Sequence, residues 1–172
     1  MTTPLGNDDD AARWADTRRL REGWIGWLKT IRWAYAVDVT FTTPVAQAQV
    51  RRAVRRWLRT LGTEVYGVVI PAVGKGGRLH GHVLVGGVAR TPVVEGAMVK
   101  AWGQGRIRGR GRITVKPYTP KPGPRGGVVR YRIDDQDHDP ADITLIGTPL
   151  PYKPRPRGRR GKGGHHSGRK QP

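Results

Sequence analysis

Residues Gly77 to Gly87 (Gly-Arg-Leu-His-Gly-His-Val-Leu-Val-Gly-Gly) set two histidines one residue apart in a β-forming run closed by glycine at both ends. A strand sends alternate side chains to opposite faces. His80 and His82 therefore share one face, and Leu79, Gly81, Val83 and Val85 share the other. The segment demands a sheet with a core on at least one side, and it brings two imidazoles within reach of one metal ion.

Charge narrows what such a pair could act on. The chain has 172 residues, with 32 Lys and Arg against 13 Asp and Glu and a formal net charge of +19. That balance favours a polyanionic partner, and a metal site in a polycationic domain points to metal-assisted phosphodiester chemistry on nucleic acid. The length suits one domain with a real core. No apolar run approaches the roughly 20 residues of a membrane span, so no membrane partner is expected. Met1 to Asp10 carries three consecutive aspartates and no apolar segment, unlike a signal peptide. Cysteine is absent, which excludes a disulfide framework or thiolate zinc site and fits a cytoplasmic setting.

Around the histidine strand, periodicity gives the element order. Residues 1–10 are expected to be a disordered acidic N-terminus. Trp14, Leu20, Trp24, Trp27, Leu28 and Ile31 recur at helical spacing and predict an amphipathic helix within 11–32. Trp33 to Thr42 alternates as a strand. Thr43-Pro44 offers an N-cap and a first-position proline for a second helix. That helix has an apolar stripe of Val50, Ala53, Val54, Trp57, Leu58 and Leu61, and Gly62 closes it. Glu64 to Ile70 and Arg78 to Val85 form a hairpin across a turn-rich connection. Thr91-Pro92 opens a helix through about Trp102, Arg110 to Tyr118 is a further strand, and Gly126 to Asp135 fits either a helix or a strand. Ile143 to Ile146 is a short strand. Residues 33–147 thus form the main domain, and 148–172, rich in Pro, Gly, Arg and Lys, form a disordered basic tail. The pattern predicts an α+β fold, an antiparallel sheet with helices packed on one side.

The order strand, basic helix, hairpin with His-x-His, helix and downstream tyrosine resembles the HUH endonuclease domain, in particular rolling-circle replication initiators (Rep proteins) of plasmids and small phages, whose sheet is ferredoxin- or RRM-like. The residues that carry the likeness are Asp38-Val39-Thr40-Phe41-Thr42, Gly77-Arg78-Leu79-His80-Gly81-His82-Val83-Leu84, Trp102-Gly103-x-Gly105, Ile113 to Tyr118 and Gly126-Gly127-Val128-Val129-Arg130-Tyr131. The resemblance implies origin DNA as partner, single-stranded or in a hairpin, with a host helicase or polymerase completing replication. It implies a tyrosine nucleophile that leaves a 5′-phosphotyrosyl link, and a divalent metal, Mn2+ or Mg2+, on His80 and His82. Tyr131 matches the family's tyrosine by context, with Tyr118 as the alternative. The chain departs from the pattern in two places. Asp134 stands near where a lysine usually follows the tyrosine, and Ile70, Pro71 and Ala72 occupy the positions where relatives place an acidic ligand; Glu64 lies upstream, and Asp38 substitutes only if it faces the site.

Arg51, Arg52, Arg55, Arg56 and Arg59 on the second helix, and Lys153, Arg155, Arg157, Arg159 and Arg160 in the tail, are the candidate DNA-backbone contacts, against the plainer reading of solvated charge. The six tryptophans are expected to pack in the core. Two alternatives stand beside the nickase: an inactive Rep-like nucleic-acid-binding protein, and a transposase or relaxase nickase. Leu84 speaks against relaxases, which usually carry a third histidine there.

Overall fold

The computed structural model describes residues 7–74, 76–104, 109–120, 127–134 and 139–151. The elements run α1 (Asn7–Lys29), β1 (Tyr35–Phe41), α2 (Gln47–Leu61), β2 (Tyr66–Val73), β3 (Leu79–Gly86), α3 (Pro92–Gln104), β4 (Arg110–Pro117), α4 (Gly127–Asp134), a 3-10 turn (Pro140–Asp142) and β5 (Thr144–Ile146). The five strands form one sheet in the order β4-β1-β3-β2-β5, and every neighbouring pair is antiparallel.

Pleating divides the sheet into two faces. On the first, Tyr35, Val37, Val39, Val69, Val83 and Val85 are buried together with Val50, Ala53, Val54, Trp57 and Leu58 of α2 and Met98 and Trp102 of α3. On the second, Ala36, Val68, Ile70 and Leu84 are buried with Ile25 and Leu28 of α1 and Val129 and Ile133 of α4. The expectation of helices on one side therefore holds for α2 and α3 only, and the other face carries α1 and α4. The physical reason lies in the uninterrupted apolar runs Val68-Val69-Ile70 and Val83-Leu84-Val85. Such runs load both faces with apolar side chains, and both must be covered.

Helix α1 begins at Asn7, inside the stretch expected to be disordered. Its C-terminal half shares the second core, so it is part of the domain and not an appendage. Helix α2 starts three residues past the expected Thr43-Pro44 signal. Ala46 is its N-cap, and the Gln49 side chain accepts the Ala46 N–H at 2.8 Å, which satisfies one of the unpaired donors at the helix start. Thr91-Pro92 behaves as expected, with the Thr91 hydroxyl accepting the Val94 N–H at 3.2 Å. Gly126 to Asp135 resolves to helix over Gly127–Asp134. Of the expected tail, 148–151 is described: the Arg32 N–H donates to the Leu150 carbonyl at 3.2 Å, and Pro151 bridges to Ile31.

Candidate metal centre

Strand register brings the polar residues of the second face together. Asp38 of β1 lies opposite His82 of β3 and opposite Thr114 of β4. On the other flank, Ile70 and Ala72 of β2 lie opposite His82 and His80. Directly opposed residues point to one face, so Asp38, His80 and His82 project from the same side, at the end of the sheet away from Tyr66 and Gly86.

The Asp38 carboxylate meets His82 Nδ1 at 2.6 Å, and His82 Nε2 lies 3.2 Å from His80 Nε2. The rings stand nearly perpendicular, at 86° with centroids 4.7 Å apart. The His82 side chain is 11% exposed and that of Asp38 34% exposed, so the pair is sheltered but open to solvent on one side. The tautomer in which Nδ1 donates to the carboxylate leaves Nε2 unprotonated toward His80. A carboxylate behind a histidine is the arrangement that orients a metal-binding imidazole.

The nitrogen spacing also fits a chelated ion. Two bonds of about 2.1 Å, spread by about 90–110°, need nitrogens roughly 3.0–3.4 Å apart. Asp38 meets the ring nitrogen of His82 that points away from His80. Among the described residues no cluster of three or more His, Cys, Asp or Glu forms a metal-binding group. Glu64 precedes β2, toward the Tyr66 end, away from the pair.

Gly81 explains itself on the opposite face. A Cβ there would lie 3.0 Å from Val39 Cγ2 and 3.1 Å from Val50 Cγ1, because α2 packs close behind the histidine strand. Thr40 marks a bulge between β1 and β4: its hydroxyl accepts the Arg112 N–H at 2.8 Å and donates to the Arg112 carbonyl at 3.1 Å. Bulges of this kind re-aim strands beside functional sites.

The two tyrosines differ in placement. Tyr131 lies on α4 between Val129 and Ile133; these two share a buried cluster with Ile70, the cross-strand neighbour of His82. The side chain of Tyr131 lies outside the described residues. Tyr118 is buried in the same cluster, and burial pushes its phenol above the ordinary value, which works against forming a phenolate there.

The arginine helix is not brought to the histidines. Helix α2 covers the first face, and Arg52, Arg55, Arg56 and Arg59 project into solvent there. Arg51 is half-buried and reaches Asp142 at 3.4 Å. Arg110 stacks 4.6 Å over the Trp102 ring and donates to the Trp102 carbonyl at 2.7 Å. Burial, then the nearby Arg56 charge, lower its pKa. Lys153, Arg155, Arg157, Arg159 and Arg160 lie outside the described residues.

Trp33, Trp57 and Trp102 are buried as expected and Trp24 partly so, but Trp14 is 71% exposed and Trp27 37% exposed. Sequence reasoning put Trp14 in the core, and it weighed Asp38 as a substitute metal ligand, where the structure sets its carboxylate on His82 Nδ1. The signal for Asp38 was present: it is the one charged residue in the strand Tyr35–Phe41.

Comparisons of the chain with protein-family models, with curated proteins and with solved structures gave no match. No helix among the described residues is long and apolar enough to cross a membrane.

Proposed function

We propose that the chain is a metal-assisted DNA nickase of the HUH type, a replication initiator that cuts one strand at an origin. The observation that carries this reading is the convergence of His80 Nε2 and His82 Nε2 at 3.2 Å, with Asp38 holding the far nitrogen of His82. The strand order β4-β1-β3-β2, with helices after β1 and β3, is the split βαβ arrangement of ferredoxin-like folds and supports it. The net charge of +19 supports a nucleic-acid substrate.

A divalent ion, Mn2+ or Mg2+, held by His80 and His82 supplies Lewis-acid polarisation of the scissile phosphate. Imidazole ligands favour Mn2+ of the two. Asp38 keeps His82 in the tautomer that leaves Nε2 available. Tyr131 is the nucleophile: its hydroxyl loses a proton, its oxygen bonds to phosphorus, the P–O3′ bond breaks, and the 3′ oxygen takes up a proton. One product is a 5′-phosphotyrosyl link and the other a free 3′-hydroxyl.

A second reading, a nucleic-acid-binding protein without cleavage, draws on the positions Ile70, Pro71 and Ala72, which are apolar where relatives place an acidic ligand.

Labelled single-stranded hairpin DNA incubated with Mn2+ tests the assignment. The wild type forms a covalent adduct on a denaturing gel, and His80→Ala and Tyr131→Phe do not. An adduct that survives Tyr131→Phe removes Tyr131 from the nucleophile role. DNA binding without an adduct on the cognate origin supports the second reading.

A further inference from the structure

The buried stripe of α1 changes character along its length. Positions 14, 18, 21, 25 and 28 fall on one helical face. In the C-terminal half that face is Ile25 and Leu28, fully buried against the sheet. In the N-terminal half it is Trp14 and Arg18, both exposed, with the half-buried Arg21 between them and the core. Trp14 is the most exposed tryptophan of the described residues, and Arg18 beside it is exposed as well. Helix α4 runs alongside, and its Arg130 clasps Glu22 of α1 through both carboxylate oxygens at 2.8 and 2.9 Å. Between the two helices lies an open cavity of about 490 Å³ lined by Trp14, Arg18, Arg21, Glu22 and Arg130 among others.

The chemistry of this groove is distinct from that of the metal pair. A single exposed apolar residue needs no explanation, but an indole flanked by guanidinium groups in an open groove has a specific complement. Among the described lining residues three arginines stand against one carboxylate, Glu22, which is paired with Arg130. Unpaired bases offer a π-face to an indole and a phosphate to each arginine, whereas a duplex keeps its base faces stacked.

We infer that the α1–α4 groove binds single-stranded DNA, with Trp14 stacking on one base and Arg18 neutralising a flanking phosphate. This rests on the nucleic-acid reading above and adds a strand-holding site on the helix next to that of Tyr131.

The test is fluorescence anisotropy of the full chain with a labelled 20-nucleotide oligothymidine in EDTA, where nicking plays no part. Trp14→Ala is expected to weaken binding about 5- to 100-fold, the range of one lost base stack. Trp14→Phe retains binding within about threefold, since a second aromatic still stacks. Arg18→Ala flattens the slope of log K against log salt by about 0.7. A duplex of equal length is indifferent to Trp14→Ala. Circular dichroism confirms that the exposed-site variants remain folded.

Wild-type affinity for oligothymidine in both Trp14→Ala and Arg18→Ala overturns the inference. Equal losses on single strand and duplex overturn it too, as does a Trp14→Ala defect seen only on anionic phosphatidylserine vesicles. If binding depends on Trp14 while no protein forms the Mn2+-dependent adduct on cognate DNA, the groove stands and the nickase falls. If the adduct forms but binding ignores Trp14, the groove falls and the nickase stands.

Discussion

On the first face of the sheet, Val37, Val39, Val69, Val83 and Val85 meet α2 and α3 across a core that holds Trp57 and Trp102. On the second, Ala36, Val68, Ile70 and Leu84 meet α1 and α4, and β1 and β3 run on into Asp38, His80 and His82. The first face is apolar along its length: the Trp57 and Trp102 indoles satisfy their N–H groups on the carbonyls of Met98 and Gly111. The second is apolar for half its length and polar for the rest. One layer specifies the fold by packing. The other gives up part of its apolar cover to hold groups whose pairing costs desolvation and is met by hydrogen bonds. Gly81 joins the two layers, since its missing side chain lets α2 approach the back of the strand whose front carries the imidazoles.

Substitutions on the two faces should separate fold from chemistry. The largest effect is expected from Trp57→Ala, which empties the first core and loses a buried hydrogen bond; unfolding stability should fall by about 3–5 kcal/mol in denaturant titration. A loss under about 1 kcal/mol would mean the first face does not carry the fold.

Asp38→Asn tests the other layer. The side chain keeps its size but loses its charge, and Mn2+ affinity measured by calorimetry should drop roughly 10- to 100-fold while the melting temperature moves little. Unchanged affinity would remove Asp38 from its positioning role.

Gly81→Ala probes the connection between them. The added Cβ presses on Val39 and Val50, and the expected cost is about 1–3 kcal/mol of stability, with the histidine spacing disturbed only through the backbone.

A smaller effect is expected from alkaline titration. Burial raises the folded-state pKa of Tyr118, and burial likewise raises that of Tyr66. The folded state therefore holds these protons more tightly than the unfolded chain, whose value lies near 10. The stability from the neutral phenols is complete below about pH 10 and declines as pH rises through the folded-state values. Tyr118→Phe should flatten that decline, and an identical alkaline limb in both proteins would show that Tyr118 is not the group responsible. Tyr118→Phe should also leave the covalent adduct intact, in contrast to Tyr131→Phe.

The smallest structural effect belongs to the solvent side of α2. Alanine at Arg52, Arg55 and Arg59 should change stability by no more than about 0.5 kcal/mol each. On duplex DNA, every arginine that neutralises a phosphate should lower the salt slope by about 0.9 when replaced. An unchanged slope would assign these arginines to solvation alone. Deleting residues 153–172 makes the same comparison for the basic tail.

Alternation and breakers in the chain already specified most of the elements. The Thr91-Pro92 cap, the stripe of α2, the histidine strand and its pairing in a hairpin follow from local rules, because caps and periodicity act over a few residues. That His80 and His82 share a face is likewise a consequence of pleating alone. Other features needed the third dimension. Helix α1 and the segment Gly127–Asp134 pack on the far face because that face is apolar where they land, a property of three strands summed across the sheet. The partnership of Asp38 with His82 joins residues 44 positions apart through a strand register that no local pattern encodes. The exposure of Trp14, on the same helical stripe as the buried Ile25 and Leu28, is a matter of tertiary packing, since helical spacing alone does not distinguish the three positions. Local chemistry chose the residues that could act, and long-range packing decided which of them meet, since a register or a covered face is an energy shared among elements distant in the chain.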